Sequence, residues 1–325
     1  MKYLGFINKR RYPHSLGIFL TRKCNFNCIY CSVEKGPDPE DKLTLNELEN
    51  LIRQAKSFNI QSISIAGEGE PFLDDNLLPF LDIIEKNNLR CCVFTNGSLI
   101  DQSIAENLLK KRVVIGYKLN SFSKEIQDIM AGKKNCHKWV EYAYKEKRTT
   151  QIKQIPLGLK ILLDKGFASE SLLFIETVIA KPNLSCIPLI ANFCKSHGIY
   201  FYVETLIVSN KAADNYDILK IDKVEEAKLY RELCSISGVK FRIANHTRCI
   251  FETSPFVDIN GNIRFCFGLP ADIGNIRDFS LEQLHVKEQK LRKSMGLKST
   301  PFYLPSGLFR ECAVRKYVNS SYNKQ

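Results

Sequence analysis

The chain has 325 residues, 44% of them hydrophobic, and a formal net charge of +12, enough for one large domain and a smaller one. No window of about 18 apolar residues suggests a membrane span, and the apolar run in the opening MKYLGFINKRR is too short for a signal peptide. The basic residues are scattered, in groups such as Lys110-Lys111-Arg112 and Lys145 to Arg148, which suits solvated surfaces and gives no nucleic-acid motif.

Ser15 to Thr21 reads as a strand, followed directly by a loop with three cysteines. Thr44 to Phe58 reads as a helix, with Thr44 as N-cap and Glu47 three residues on. Ile60 to Ala66 alternates and is rich in β-branched residues, so it reads as a strand that ends in a Gly67–Pro71 turn. Asn76 to Asn88 is an expected helix and Arg90 to Thr95 a strand ending at Asn96-Gly97. Asp101 to Lys110 reads as helix, Arg112 to Leu119 as strand, and Ser123 to Lys165 as a long helical region. Ser171 to Ala180, Ser185 to His197 and Ile199 to Ile207 continue as strand, helix and strand.

Six strand–helix steps argue for an α/β fold, a parallel sheet covered by helices. In barrels of this kind sites lie at the C-terminal ends of strands. The cysteine loop, the Gly67–Pro71 turn and Asn96-Gly97 all fall there. The last third differs. A polar stretch from Ser209 to Asp217 precedes a helix from Lys223 to Ser237, and Phe256 to Phe265 reads as a hairpin turning at Asn260-Gly261. The expected division is 1–208 for the core and 209–325 for a smaller domain.

Twelve cysteines without a secretory signal point to a reducing, cytoplasmic compartment and to metal ligation. Cys24, Cys28 and Cys31 are spaced by three residues, then two, with Tyr30 just before the last. Thiolates are the usual ligands of a cubane 4Fe–4S cluster, and four close it. Three on one short loop leave one iron free for an exogenous ligand. A zinc site would want a second knuckle or nearby histidines, and the first histidine after the loop is His137.

Cys24-x3-Cys28-x2-Cys31 resembles the signature of the radical S-adenosylmethionine (SAM) superfamily, over residues of about 15 to 207. The resemblance implies a partial (β/α)6 TIM-like barrel and an open iron that chelates SAM. It also implies a one-electron reductant such as flavodoxin or ferredoxin, and a 5′-deoxyadenosyl radical that takes hydrogen from substrate. Glu68-Gly69-Glu70-Pro71 falls where the family has Gly-Gly-Glu-Pro, with Glu68 departing from the first glycine. Tyr30, Gly69, Glu70, Asn96, Lys118, Asn120 and Ser121 are then the expected SAM-binding positions. The alternative for Asn96 and Lys118 is an ordinary turn cap and a surface lysine.

Cys249, Gly261 and Cys266 resemble the opening of SPASM and twitch auxiliary-cluster domains, and the likeness runs on through Gly274-Asn275-Ile276 and a helix from Ser280. Cys312, the only later cysteine, is the expected third ligand of an auxiliary 4Fe–4S cluster in a small α+β domain. Cys234, His246, His285, water or substrate are candidates for its fourth ligand. Unligated core cysteines or a zinc site are the alternatives.

The expected substrate is a small metabolite, since the first strand begins near residue 15 and leaves no room for a leader-peptide domain. A peptide or protein side chain is the alternative. No general acid or base is identifiable, although Glu204 and His197 are candidates by position.

Overall fold

The computed structural model describes residues 15–146, 149–244, 255–264 and 273–294. In chain order the elements are β1 (Ser15–Phe19), α1 (Leu45–Ser57), β2 (Ser62–Ala66), α2 (Leu77–Lys86), β3 (Arg90–Thr95), α3 (Gln102–Lys110), β4 (Val114–Lys118) and α4 (Lys124–Ala131). A ribbon of β5 (Trp139–Glu146) and β6 (Thr149–Pro156) leads to α5 (Leu157–Asp164), β7 (Leu173–Val178), α6 (Ile187–Ser196) and β8 (Tyr200–Glu204). Then come α7 (Asn210–Asp214), α8 (Tyr216–Leu219), α9 (Lys223–Ser235), β9 (Phe241–Ala244), β10 (Phe256–Val257), β11 (Ile263–Arg264) and α10 (Leu281–Ser294).

Contacts divide the chain into two compact units. Met1–Cys24, Glu34–Cys92 and Asn245–Gln325 make the first; Asn25–Val33 and Val93–Ala244 make the second. In the first, β1 and β2 run parallel, in register from Ser15–Ser62 to Phe19–Ala66. Helix α1 between them begins at a complete capping box, Thr44 with Glu47, and buries Leu48, Leu51, Ile52 and Ala55. That spacing is one stripe of a 3.6-residue period.

The hairpin expected at Asn260-Gly261 is present as β10 and β11, with Gly261 at φ +90°. Sequence reasoning missed its partner. β10 adds to β1 as a parallel strand, Gly17 opposite Phe256 and Ile18 opposite Val257. The rings of Phe19 and Phe256 stack with centroids 4.8 Å apart.

In the second unit β4, β7, β8 and β9 are adjacent parallel strands, and β7 is buried along its whole length. The expected long helical region 123–165 is not one helix. It is α4, the β5–β6 ribbon and α5. Gly132, at φ +60°, ends α4. From Val140 to Lys145 exposure alternates residue by residue, and the aromatic and β-branched side chains of the stretch suit a strand. The ribbon pairs from Trp139–Pro156 to Glu146–Thr149. Its Tyr144 ring packs against Phe193 and His197 of the α6 end, with centroids 5.5 and 4.8 Å away.

Candidate active site

In the first unit the site begins just past β1. Thr21 Oγ1 and the Arg22 amide both donate to Asp38 Oδ1, at 2.7 and 2.8 Å, fixing the direction in which the chain leaves the strand. The Glu70 amide donates to the Lys23 carbonyl at 2.8 Å, joining the turn after β2 to the residue before Cys24. Gly69 makes this approach feasible, since a Cβ there would lie 2.1 Å from the Lys23 oxygen. Glu70 is buried and its carboxylate caps the short 3-10 turn Pro71–Leu73 by accepting from the Phe72 amide.

Glu68, the departure from a glycine, has a definite job. Its carboxylate accepts from Arg22 Nε at 2.9 Å and lies 4.0 Å from Arg264 Nη1. Arg264 is also paired with buried Asp258 at 2.7 Å. The hydrogen bond to Glu68 raises the pKa of Arg22 above its ordinary value.

In the second unit the loop residues 25–33 are pinned from several sides. The Asn27 and Ile29 amides donate to the carbonyls of Ala131 and Met130 at the end of α4. Gly132 is required there, because a Cβ would lie 2.0 Å from the Asn27 oxygen. Asn96 Nδ2 donates to Asn25 Oδ1 at 2.9 Å, and Asn25 Nδ2 donates to Ser98 Oγ at 2.8 Å. The Ala212 amide donates to the Cys31 carbonyl.

Asn120 Nδ2 donates to the Tyr30 hydroxyl at 2.8 Å, while its Oδ1 accepts from the Val178 amide at 3.1 Å. Burial, reinforced by the charge of Cys28, holds the Tyr30 phenol well above its ordinary pKa. Ser121 is buried, and its Oγ accepts from the Ser123 amide at 2.8 Å. Asn120 and Ser121 thus shape the strand end, and Asn96 braces the loop. Lys118 ends β4 between Glu176 and Glu204. Sequence reasoning missed Glu176, although a lone carboxylate within the apolar run LFIETV was the available signal.

Cys24, Cys28 and Cys31 are each half-buried. Among the described residues no three His, Cys, Asp or Glu side chains converge as ligands of a single metal ion. A cubane places less demand on convergence, because each thiolate takes a different iron. Three thiols on one short, half-buried stretch of chain are a donor set suited to such a cluster. Cys249, Cys266, Cys312 and His246 lie outside the described residues. Cys234 is exposed on α9, and His285 Nδ1 lies 3.2 Å from Glu288. His197 Nδ1 is 2.8 Å from the Phe193 carbonyl, within the aromatic packing of α6.

The family model described as "Radical SAM superfamily" matches residues 18–161. The chain is 27% identical over 117 residues to the antilisterial bacteriocin subtilosin biosynthesis protein AlbA of Bacillus subtilis, a match of 35% of this chain and 26% of that protein. It is 30% identical over 95 residues to a probable GTP 3′,8-cyclase of Methanothermobacter marburgensis, covering 29% of this chain and 31% of the cyclase. These matches thus span about a third or less of those relatives. The fold is similar to that of Streptococcus suis SuiB bound to S-adenosylmethionine, with a TM-score of 0.63, 18% identity, and coverage of 84% of this chain and 65% of SuiB. No described helix is long and apolar enough to cross a membrane.

Proposed function

The chain carries a Radical SAM superfamily domain at residues 18–161, and from that premise we propose that Cys24, Cys28 and Cys31 hold a 4Fe–4S cluster whose fourth iron takes SAM. Bound there, cluster and nucleotide would supply reductive C5′–S cleavage and a radical that removes hydrogen from substrate. The observation that carries this reading is the three-cysteine loop itself, set at the end of β1 and braced through Tyr30 by Asn120.

The chain's own residues have distinct parts in this reading. The Gly69 backbone lets the turn after β2 lie against Lys23, just before Cys24, leaving main-chain groups of Gly67–Glu70 to meet the methionine end of SAM. Asn96 and Asn120 keep the loop in place from β3 and β4. Cys249, Cys266 and Cys312 hold an auxiliary 4Fe–4S cluster in the C-terminal part, residues 209–325. A reducing cytoplasm suits both thiolate sets.

The substrate is a small metabolite that bears hydroxyl or amino groups. The similarity to a probable GTP 3′,8-cyclase supports this class. The relative that serves subtilosin biosynthesis supports a second reading, a peptide substrate.

Anaerobic reconstitution tests the whole proposal. The wild type is expected to release 5′-deoxyadenosine from SAM with dithionite, and Cys24→Ala to release none. It is expected to bind about twice the iron of a Cys249/Cys266/Cys312 triple alanine variant. Equal iron in the two proteins removes the auxiliary cluster; no cleavage by the wild type removes the radical chemistry. Stimulation by peptides but not by metabolites selects the second substrate class.

A further inference from the structure

Hydrogen bonding around Asn120 fixes where one proton beside the cysteine loop must point. Asn120 lies just beyond β4 and is buried. Its Oδ1 accepts from the Val178 amide at 3.1 Å. Turning the side-chain amide over would set Nδ2 against that N–H, donor against donor. Oδ1 therefore stays on Val178, and Nδ2 faces the Tyr30 hydroxyl. The backbone of Asn120 is tied down as well. Its amide donates to Gln127 Oε1 at 2.9 Å, and its carbonyl accepts from Nδ2 of buried Asn183 at 3.2 Å.

The Tyr30 oxygen thus accepts from Asn120, at 2.8 Å, which leaves its own proton to be donated elsewhere. The other hydrogen-bond partner of this hydroxyl is the Cys28 side chain. A thiolate has no proton to offer, so a cluster-bound Cys28 sulfur can only accept. The ring is held by packing against the apolar group of Met130, Ala180, Ala212 and Leu219. Phenylalanine would fill that packing equally; the hydroxyl is the part of Tyr30 that the packing does not use.

We propose that Tyr30 acts through Cys28: its hydroxyl donates to Cys28 Sγ and makes the cluster that this sulfur holds easier to reduce. The proposal rests on the radical reading above and adds the residue that sets how readily the site takes its electron. An added electron increases the negative charge on the ligand sulfurs, so a donor aimed at one of them binds the reduced form more strongly. The one-electron reductant supplies that electron, no bond is made or broken, and the proton stays on the tyrosine oxygen.

The test is a redox titration of the anaerobic, reconstituted holoenzyme, followed by electron paramagnetic resonance of the signal that Cys24→Ala lacks. Tyr30→Phe keeps the ring and removes the hydroxyl. Its midpoint is expected to fall below that of the wild type by about tenfold in the reduction equilibrium, ~59 mV for a one-electron couple, the scale of one charge-assisted hydrogen bond. Wild type reduced in heavy water is expected to show an exchangeable deuteron coupled to this signal, and Tyr30→Phe to lack that coupling, which lost packing alone would not remove. Wild-type chain grown on fluorotyrosine, a stronger donor of nearly the same shape, is expected to raise the midpoint. That measurement reads the bond with no substitution, should Tyr30→Phe fail to fold. Equal midpoints in wild type and Tyr30→Phe, survival of every deuteron coupling in the variant, or a fluorotyrosine midpoint at or below the wild-type value each overturn the proposal. A wild type without the signal overturns the radical reading and this proposal together. A wild type that has the signal but fails these comparisons overturns the role of the hydroxyl alone.

Discussion

A methyl group added at Gly69 would lie 2.1 Å from the Lys23 carbonyl oxygen, so Gly69→Ala forces the turn after β2 away from Lys23. The expected cost is about 1–3 kcal/mol of stability, as for other overpacked sites, together with weaker SAM binding. Denaturant titration and equilibrium binding measure the two. At Glu176 the expected effect is a pH dependence of unusual sign. Its folded-state pKa of about 7 lies above its ordinary 4.5, so between those values the folded chain binds more protons than the unfolded one. Stability is therefore greatest below the lower value and declines as pH rises toward the upper one. Glu176→Gln is expected to remove this decline, read from denaturant midpoints across that range. At the residue scale the sequence offers the cysteine triplet as a candidate, because thiolate spacing is itself the chemical signal. It did not reach the pairing of Glu68 with Arg22 and Arg264, because nothing local in the sequence says which distant cation a buried carboxylate will meet.

Most elements were legible because their patterns are strong. The capping box at Thr44 and the apolar stripe behind it specify α1, and β3 was expected over the same Arg90–Thr95 that it occupies. The 123–165 stretch failed for a physical reason. Its many Lys and Glu residues favour a helix, yet exposure alternates from Val140 to Lys145 and the two segments Trp139–Glu146 and Thr149–Pro156 pair with one another. The ribbon is held along its outer half by aromatic packing, with Tyr142 and Tyr144 each beside Phe193, which is 1% exposed. Phe193→Ala is expected to cost about 3–5 kcal/mol, with the loss seen in thermal unfolding and in faster amide exchange along β5 and β6.

For the molecule as a whole, the alternation of strands and helices announced the parallel architecture, while the partners of the shortest strands were invisible. A strand of two residues such as β10 has too little pattern to declare a neighbour. A chain cut after residue 208 would lose β10 from beside β1, and with it the Phe256 ring that covers Phe19. Such a truncation is expected to be insoluble or to unfold at a markedly lower temperature, measured by yield and melting. The Arg22–Glu68–Arg264–Asp258 chain of charges reaches further still. Arg22 follows β1 and Arg264 ends β11. The four side chains therefore act as a tie rod: a tug applied where the chain leaves β1 arrives at the β10–β11 hairpin by a route far shorter than the polypeptide that separates them.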